Sequence, residues 1–139
     1  MLMARHAATL EDRPLPAAYA EDVIELLPSG EDVVLVIEQD RSPLGAAWWT
    51  TRGESLLEGF QGVPEVSMAI APEVRGQGLG TELLQALVAE GDKQRRPLVL
   101  NVHLRNTAAL NLYMSCGFRV AGAGRGWFGV AMARQFRRE

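Results

Sequence analysis

A glycine-rich hexapeptide, RGQGLG at residues 75–80, constrains the fold of this chain more than any other feature. It follows residues 65–70, where small or polar side chains alternate with larger apolar ones, as in a half-buried β-strand. After it, leucine and valine recur at helical spacing from Leu79 to Val88. Glycines at a helix start let a ligand reach the backbone, and the first-turn N–H groups point outward along the helix dipole. The segment therefore predicts a site for an anion such as pyrophosphate.

The spacing of these glycines decides between classes of anion site. A dinucleotide-binding fingerprint needs a third glycine where this chain has Thr81, and a Walker loop needs lysine after its last glycine. Neither pattern is present, which argues against nucleotide binding as the function. Instead, Arg75, Gly78 and Gly80 fit the pattern Gln/Arg-x-x-Gly-x-Gly/Ala. This pattern resembles the first motif of the GNAT superfamily of acyl-CoA-dependent N-acyltransferases.

A second segment is similar to the same family. Residues 98–102 follow Pro97 and predict a buried strand, and residues 106–116 predict a helix that ends at Gly117. From Val102 to Phe118 the chain matches V-x-x-x-N-x-x-A-x-x-L-Y-x-x-x-G-F, which resembles the second GNAT motif. The resemblance is close over residues 65–118, looser as far as residue 136, and weak before Val33.

Composition and charge agree with one compact domain over residues 1–139. The chain is 47% hydrophobic and 22% charged, which excludes disorder, and its longest apolar runs are too short to cross a bilayer. No secretory signal is visible, and one cysteine gives neither a disulfide framework nor a metal-ligand cluster. A net charge of −3 argues against bulk nucleic-acid binding. We expect a cytoplasmic protein with no bound metal.

The order of predicted elements also resembles the GNAT fold, an α/β three-layer sandwich with a mixed central sheet of about six strands and helices on both faces. The family usually places a strand and two helices before residue 33, so the resemblance implies a shortened N-terminus, in the region that forms one wall of the acceptor site. The predicted elements are helices at residues 17–27, from 79 and at 106–116, strands at 33–37, 44–51, 65–70, 98–102, 119–123 and 127–135, a turn at 40–43 and a loop at 52–63.

The resemblance implies transfer of an acyl group, most simply acetyl, from acetyl-CoA to a primary amine by direct attack in a ternary complex. The amine would belong to a small molecule or a peptide. The alternative function is a catalytically silent acyl-CoA-binding module. Pantetheine would lie between the strands ending near Ile70 and Val102, which separate, and an N–H near Ile70 would polarise the thioester carbonyl. The implied cofactor-binding residues are Met68, Ala69, Ile70, Arg75, Gly76, Gln77, Gly78, Leu79, Gly80, Thr81 and Asn106.

Two residues are the catalytic candidates. Tyr113 occupies the family's position for a general acid beside the sulfur, although it also lies on an apolar helical stripe and could be a core tyrosine. Glu65 opens its strand where several GNAT enzymes carry a base, although a glutamate there is more often solvated. Asn106 could contact the cofactor arm, cap its helix, or do both.

Other polar residues give weaker expectations. His103 could line the cleft, and Asn101 stands where some family members have a carboxylate. Arg75, Arg105 or Arg125 could meet the ribose phosphate of coenzyme A. The C-terminal arginines are expected to form a solvated tail: Arg134, Arg137 and Arg138. Because the acceptor wall is reduced, we expect the site to be either unusually open or completed by a second subunit, and an exposed apolar edge favours the second subunit, in a homodimer.

Overall fold

The computed structural model describes residues 3–6, 33–51, 56–57 and 59–137, so the helix predicted at residues 17–27 lies outside the described part. A short 3-10 helix, Pro72–Val74, precedes the glycine-rich segment. The strands and helices, in chain order, are β1 Met3–His6, β2 Val34–Gln39, β3 Ser42–Thr50, β4 Glu65–Ile70, α1 Leu79–Gln94, β5 Leu98–His103, α2 Thr107–Ser115, β6 Arg119–Ala123 and β7 Gly129–Arg134.

The described strands form one seven-stranded sheet in the order β1-β2-β3-β4-β5-β7-β6. Only β4 and β5 are parallel neighbours, and α1 makes the crossover between them. The mixed α/β class is therefore confirmed, with one strand more than predicted. The additional strand, β1, pairs antiparallel with β2 at the edge of the sheet. Its four residues, MARH, are too short and too polar to show the alternation by which a strand is recognised in sequence.

The main hydrophobic core lies between one face of the sheet and the two described helices. Leu83, Leu84 and Leu87 of α1 are fully buried against this face. Each such side chain contributes about 1.5–3 kcal/mol relative to an exposed one. The opposite face carries a second buried cluster that includes Val36 and Trp48. The expectation of helices on that second face concerns residues outside the described part.

Two predicted boundaries are wrong, each because of a tight turn. The turn expected at residues 40–43 involves only Asp40 and Arg41, which have φ values of 51° and 67°. Positive φ at both central residues gives a two-residue hairpin, so β3 begins directly at Ser42. The last strand was expected from Trp127, but it begins at Gly129, because the preceding residues form the turn after β6.

Candidate active site

A cleft opens between the two parallel strands at the centre of the sheet. Glu65 pairs with Val99 and Val66 pairs with Leu100, and the pairing of β4 with β5 ends there. Each strand remains fully paired along its other edge, β4 with β3 and β5 with β7. The strands therefore separate from residue 67 onward without loss of support, as expected from the resemblance.

Strand alternation identifies the backbone groups that face this cleft. Val99 N–H donates to the Pro64 carbonyl at 3.0 Å, so even-numbered residues of β4 direct their backbone groups toward β5. On the opposite edge, Ala71 N–H donates to the Leu44 carbonyl at 2.8 Å, so odd-numbered residues of β4 direct their backbone groups toward β3. The backbone groups of Met68 and Ile70 therefore face the cleft. Those of Ala69 point toward β3 instead.

The glycine-rich segment forms a cradle of backbone N–H groups at the start of α1. Gly76 and Gly78 have φ values of 79° and 82°, and a Cβ built on either would meet nothing within 4 Å. None of the described residues accepts a hydrogen bond from the N–H groups of residues 76–81. The first helical bond is donated by Glu82 N–H to the Gly78 carbonyl at 3.1 Å. The cradle is open and rich in donors, which fits a pyrophosphate.

The last glycine of the hexapeptide serves packing. A Cβ on Gly80 would lie 3.4 Å from Leu112 Cδ2 and 3.5 Å from Met68 Cε, which is ordinary contact. A small residue here lets the first turn of α1 approach both α2 and β4. This explains why the motif accepts glycine or alanine at this position, while Leu79 beside it is buried in the core.

Arg75 and Asn106 are each held by a local hydrogen bond. Arg75 Nε–H donates to the Ile70 carbonyl at 3.3 Å, so its side chain lies across the end of β4, next to the cradle. Asn106 Oδ1 accepts a hydrogen bond from Ala109 N–H at 3.2 Å. The capping role of Asn106 is thereby confirmed, and the cap fixes the orientation of its amide at the exposed start of α2.

Tyr113 combines a packed ring with an unpaired hydroxyl. The residue is 9% exposed, belongs to the main core and meets the Phe118 ring edge-on at 5.9 Å between centroids. Its hydroxyl forms no hydrogen bond with the described residues. Burial raises the pKa of Tyr113 above its usual value of 10.0. The phenol therefore stays protonated at neutral pH, as a proton donor must.

Glu65 is buried and ion-paired, so the alternative interpretation of a solvated surface glutamate is wrong. It is 6% exposed, and Arg125 holds both carboxylate oxygens, with Nη1 2.5 Å from Oε2 and Nη2 2.8 Å from Oε1. Arg125 N–H in turn donates to Asn101 Oδ1 at 2.8 Å. No pattern in the sequence connects these three residues, which lie far apart along the chain. The local signal is an arginine between two glycines in the turn after β6.

The guanidinium of Arg125 donates from both terminal nitrogens to Glu65, and its side chain remains 46% exposed. Arg105 instead packs over the Phe128 ring, with 4.8 Å between its Cζ and the ring centroid. His103 Nδ1 accepts a hydrogen bond from Arg105 N–H at 3.1 Å, and the His103 ring lies 5.4 Å from that of Phe128. These contacts order the loop between β5 and α2 beside the cleft.

A second arginine–carboxylate pair lies far from the cleft and corrects the expectation of a solvated side chain at Arg134, whereas Arg137 is exposed and Arg138 lies outside the described residues. Arg134 is 4% exposed, and its Nη1 and Nη2 lie 2.8 and 3.1 Å from the two Asp92 carboxylate oxygens. Its Nε–H donates to the Cys116 carbonyl at 2.8 Å. The hydrogen bond from Arg134 is the largest cause of a lowered Asp92 pKa, with smaller contributions from Arg137. Asp92 lies about 20 Å along α1 from the cradle, so this pair joins the far ends of the helices to β7.

Within the described residues, no group of three or more His, Cys, Asp or Glu side chains is arranged to hold a metal ion. In the same part of the chain, no helix has the length and apolar character needed to cross a membrane.

Comparison with known proteins agrees with this geometry. Residues 3–118 match the model of the Acetyltransferase (GNAT) family. The match includes both motifs and most of the chain, and the protein belongs to this family. An acetyl-CoA-bound structure of yncA, a putative acetyltransferase from Salmonella typhimurium, superposes with a TM-score of 0.63 at 26% identity, over 78% of this chain and 66% of that one.

Two curated relatives are similar over part of their length. Phosphinothricin N-acetyltransferase of Alcaligenes faecalis is 42% identical over 91 residues, which are 63% of this chain and 45% of that protein. The L-methionine sulfoximine/L-methionine sulfone acetyltransferase of Pseudomonas aeruginosa is 36% identical over 67 residues, 48% of this chain and 39% of that protein. The chain spans less than half of the length of either relative.

Proposed function

We propose that the protein is an N-acetyltransferase that transfers the acetyl group of acetyl-CoA to a primary amine by direct attack. The observation that carries this proposal has two parts: the N–H groups of residues 76–81 have no acceptor among the described residues, and β4 and β5 separate immediately before them. An anion on the cradle and an extended arm between the strands is the arrangement that coenzyme A requires. When bound, acetyl-CoA would supply the acetyl group as a thioester.

The cradle and the strand edge have separate tasks in this proposal. The N–H groups of residues 76–81, with Arg75 beside them, would hold the pyrophosphate. The backbone groups of Met68 and Ile70 would pair with the pantetheine arm, and one N–H would donate to the thioester oxygen, where negative charge develops. Asn106 would contact the same arm from the start of α2.

The two catalytic candidates are placed on opposite faces of the sheet. Val66 belongs to the helix-side core, so alternation puts the neighbouring Glu65 side chain on the other face, whereas Tyr113 lies on the helix side. We assign to Glu65, directly or through water, removal of a proton from the attacking amine. Tyr113 would give its proton to the departing thiolate. Separate faces let the base and the acid act without exchanging a proton with each other.

The acceptor is proposed from the relatives. The acetyltransferases named above act on phosphinothricin and on L-methionine sulfoximine or sulfone. We propose a small amine of the amino-acid class for this protein. Attack by such an amine requires a base, because a free amine of this kind is largely protonated at neutral pH.

We also propose a homodimer. The sheet ends at β6, an edge strand whose residues are all exposed, and Val120 on it is 64% exposed. Trp127, in the turn that follows, is 99% exposed. Unpaired strand edges and exposed apolar side chains favour association with another chain.

The test is thiol release from acetyl-CoA with a panel of amines that contains L-amino acids, their decarboxylated analogues and short peptides. The proposal expects release with at least one small amine and an acetylated product of matching mass. Tight acetyl-CoA binding without release for any amine would favour the silent binding module. Failure to bind acetyl-CoA at all would overturn both functions.

A further inference from the structure

The described residues contain two arginines that each grip a carboxylate with both terminal nitrogens: Arg125 on Glu65 and Arg134 on Asp92. Such forks fix geometry as well as charge, because two parallel hydrogen bonds hold the carboxylate plane. The two pairs differ in location. The Arg134 pair is distant from the cradle, whereas the Arg125 pair lies where β4 and β5 part.

The Arg125 pair joins three segments at that point. Glu65 is the first residue of β4 and pairs with Val99, and the cleft begins two residues later, about 7 Å along the strand. Arg125 reaches Glu65 across 60 positions of sequence, and its own N–H is held by Asn101 of β5. The turn is closely packed, since a Cβ on Gly124 would overlap Asn101 Oδ1. The guanidinium therefore approaches Glu65 from a fixed direction.

The chemistry of a buried base explains why such a fixed partner matters. An ionised carboxylate at 6% exposure loses hydration, and without a partner it would be costly to keep charged. A carboxylate has about four lone-pair sites. The two bonds from Arg125 occupy two of them, so the carboxylate can still accept a hydrogen bond from an amine or a water.

We propose that Arg125 is the positioning residue for Glu65, and that Asn101 supports it by holding the turn. Arg125 holds the Glu65 carboxylate in one orientation, which leaves its remaining lone pairs for the acceptor. This inference rests on the proposed function, because Glu65 has a proton to take only if an amine is acetylated. Arg125 acts through Glu65 and has no separate contact with the reacting atoms.

A double-mutant cycle on kcat tests the dependence of one residue on the other. The proteins are wild type, Arg125→Gln, Glu65→Gln and the double variant, each assayed with the best amine of the panel. Arg125→Gln should lower kcat by about 10- to 100-fold, the range found for losing a residue that orients a catalytic group. In the Glu65→Gln background the same change should lower kcat less than about 2-fold. The dissociation constant of acetyl-CoA should stay within about 2-fold throughout.

The Arg134→Gln variant is the matched control, because it removes the same fork from an arginine–carboxylate pair away from the cleft. It should lower the unfolding midpoint, and its effect on kcat should be the same whether residue 65 is Glu or Gln. The conservative variant Arg125→Lys should recover part of the activity, since one ammonium supplies the charge without the fork. If Arg125→Gln does not fold, Arg125→Lys and Asn101→Ser complete the same cycle.

The outcomes separate the two proposals. Losses that multiply in the double variant, or a full rate for Arg125→Gln, would overturn the positioning role while leaving the acetyltransferase intact. No thiol release by the wild type with any amine would overturn the proposed function, and this inference with it. A loss confined to the Glu65 background supports it.

Discussion

Replacement of Gly78 by valine tests the cradle directly. Gly78 has a φ of 82°, and its Cβ position meets nothing within 4 Å, so the new side chain would project into the space that the pyrophosphate needs. Displacing a charged phosphate from even one backbone N–H costs about 1.5–3 kcal/mol. Each 1.4 kcal/mol is a factor of about ten in the dissociation constant. We therefore expect acetyl-CoA to bind about 10- to 150-fold more weakly.

The same substitution also strains the backbone, and the chain offers a control for that effect. Gly62 has a φ of 78°, and its Cβ position likewise meets nothing within 4 Å, but it lies in the loop before β4. Valine at either position should cost about 1–2 kcal/mol of stability, because a left-handed conformation is unfavourable for L-residues. Only the Gly78 variant should lose acetyl-CoA affinity.

Isothermal calorimetry with acetyl-CoA measures the affinity, and thermal unfolding measures the strain. Equal affinity in folded Gly78→Val and wild-type proteins would refute the placement of the pyrophosphate on these N–H groups. Equal losses of affinity in the Gly78 and Gly62 variants would instead show that backbone strain, transmitted through the fold, governs binding. The prediction requires a large difference between the two variants.

Three further predictions concern other parts of the molecule. Tyr113→Phe keeps the packed ring and should preserve acetyl-CoA affinity, while kcat should fall by about 10- to 1,000-fold, as expected for a lost general acid. Equal rates of the two proteins from pH 6 to 9 would show that Tyr113 has only a packing role in the core. Arg134 lowers the Asp92 pKa below 3.8, so the pair stabilises the fold at higher pH and this stability is lost as the pH falls through the folded-state value. Asp92→Asn should therefore unfold at a lower temperature than wild type at pH 7, and the difference should shrink toward pH 2; a difference independent of pH would contradict this linkage. Light scattering at a protein concentration of tens of micromolar should give the mass of a dimer, and the Trp127→Asp variant should have a lower average mass. A monomeric wild type would contradict the proposed interface.

The cofactor half of the site was predictable because it is local in sequence. β4, α1, β5 and α2 are consecutive, and each has a clear apolar period and a terminator, so their bounds agree with the structure to within about two residues. The cradle consists of successive backbone N–H groups whose geometry depends on glycine conformation. Both features can be inferred from a few neighbouring residues, without knowing which strands lie side by side.

The remaining features depend on contacts between distant segments. The fork from Arg125 to Glu65 requires the pairing of β5 with β7, which places the turn after β6 next to the start of β4. Burial of Arg134 depends on Asp92, 42 positions away, although the sequence around it resembles an ordinary basic terminus. The hairpin at Asp40 and Arg41 uses positive φ without the glycine that usually indicates it. None of these leaves a periodic signal.

This division has a physical consequence for how substitutions should combine. In the proposed site, residues of the cradle would each contribute their own hydrogen bonds to one ligand, so a change at Gly78 should alter binding by an amount that is independent of Glu65 and Arg125. The side chains around Glu65 share one network, in which Asn101 holds Arg125 and Arg125 holds Glu65. Removing any member leaves the others misplaced, and the losses in kcat cannot add. Additive effects on acetyl-CoA binding, together with coupled effects on kcat, are the pattern that the proposed function expects, with the coenzyme held by the backbone and the acceptor by side chains.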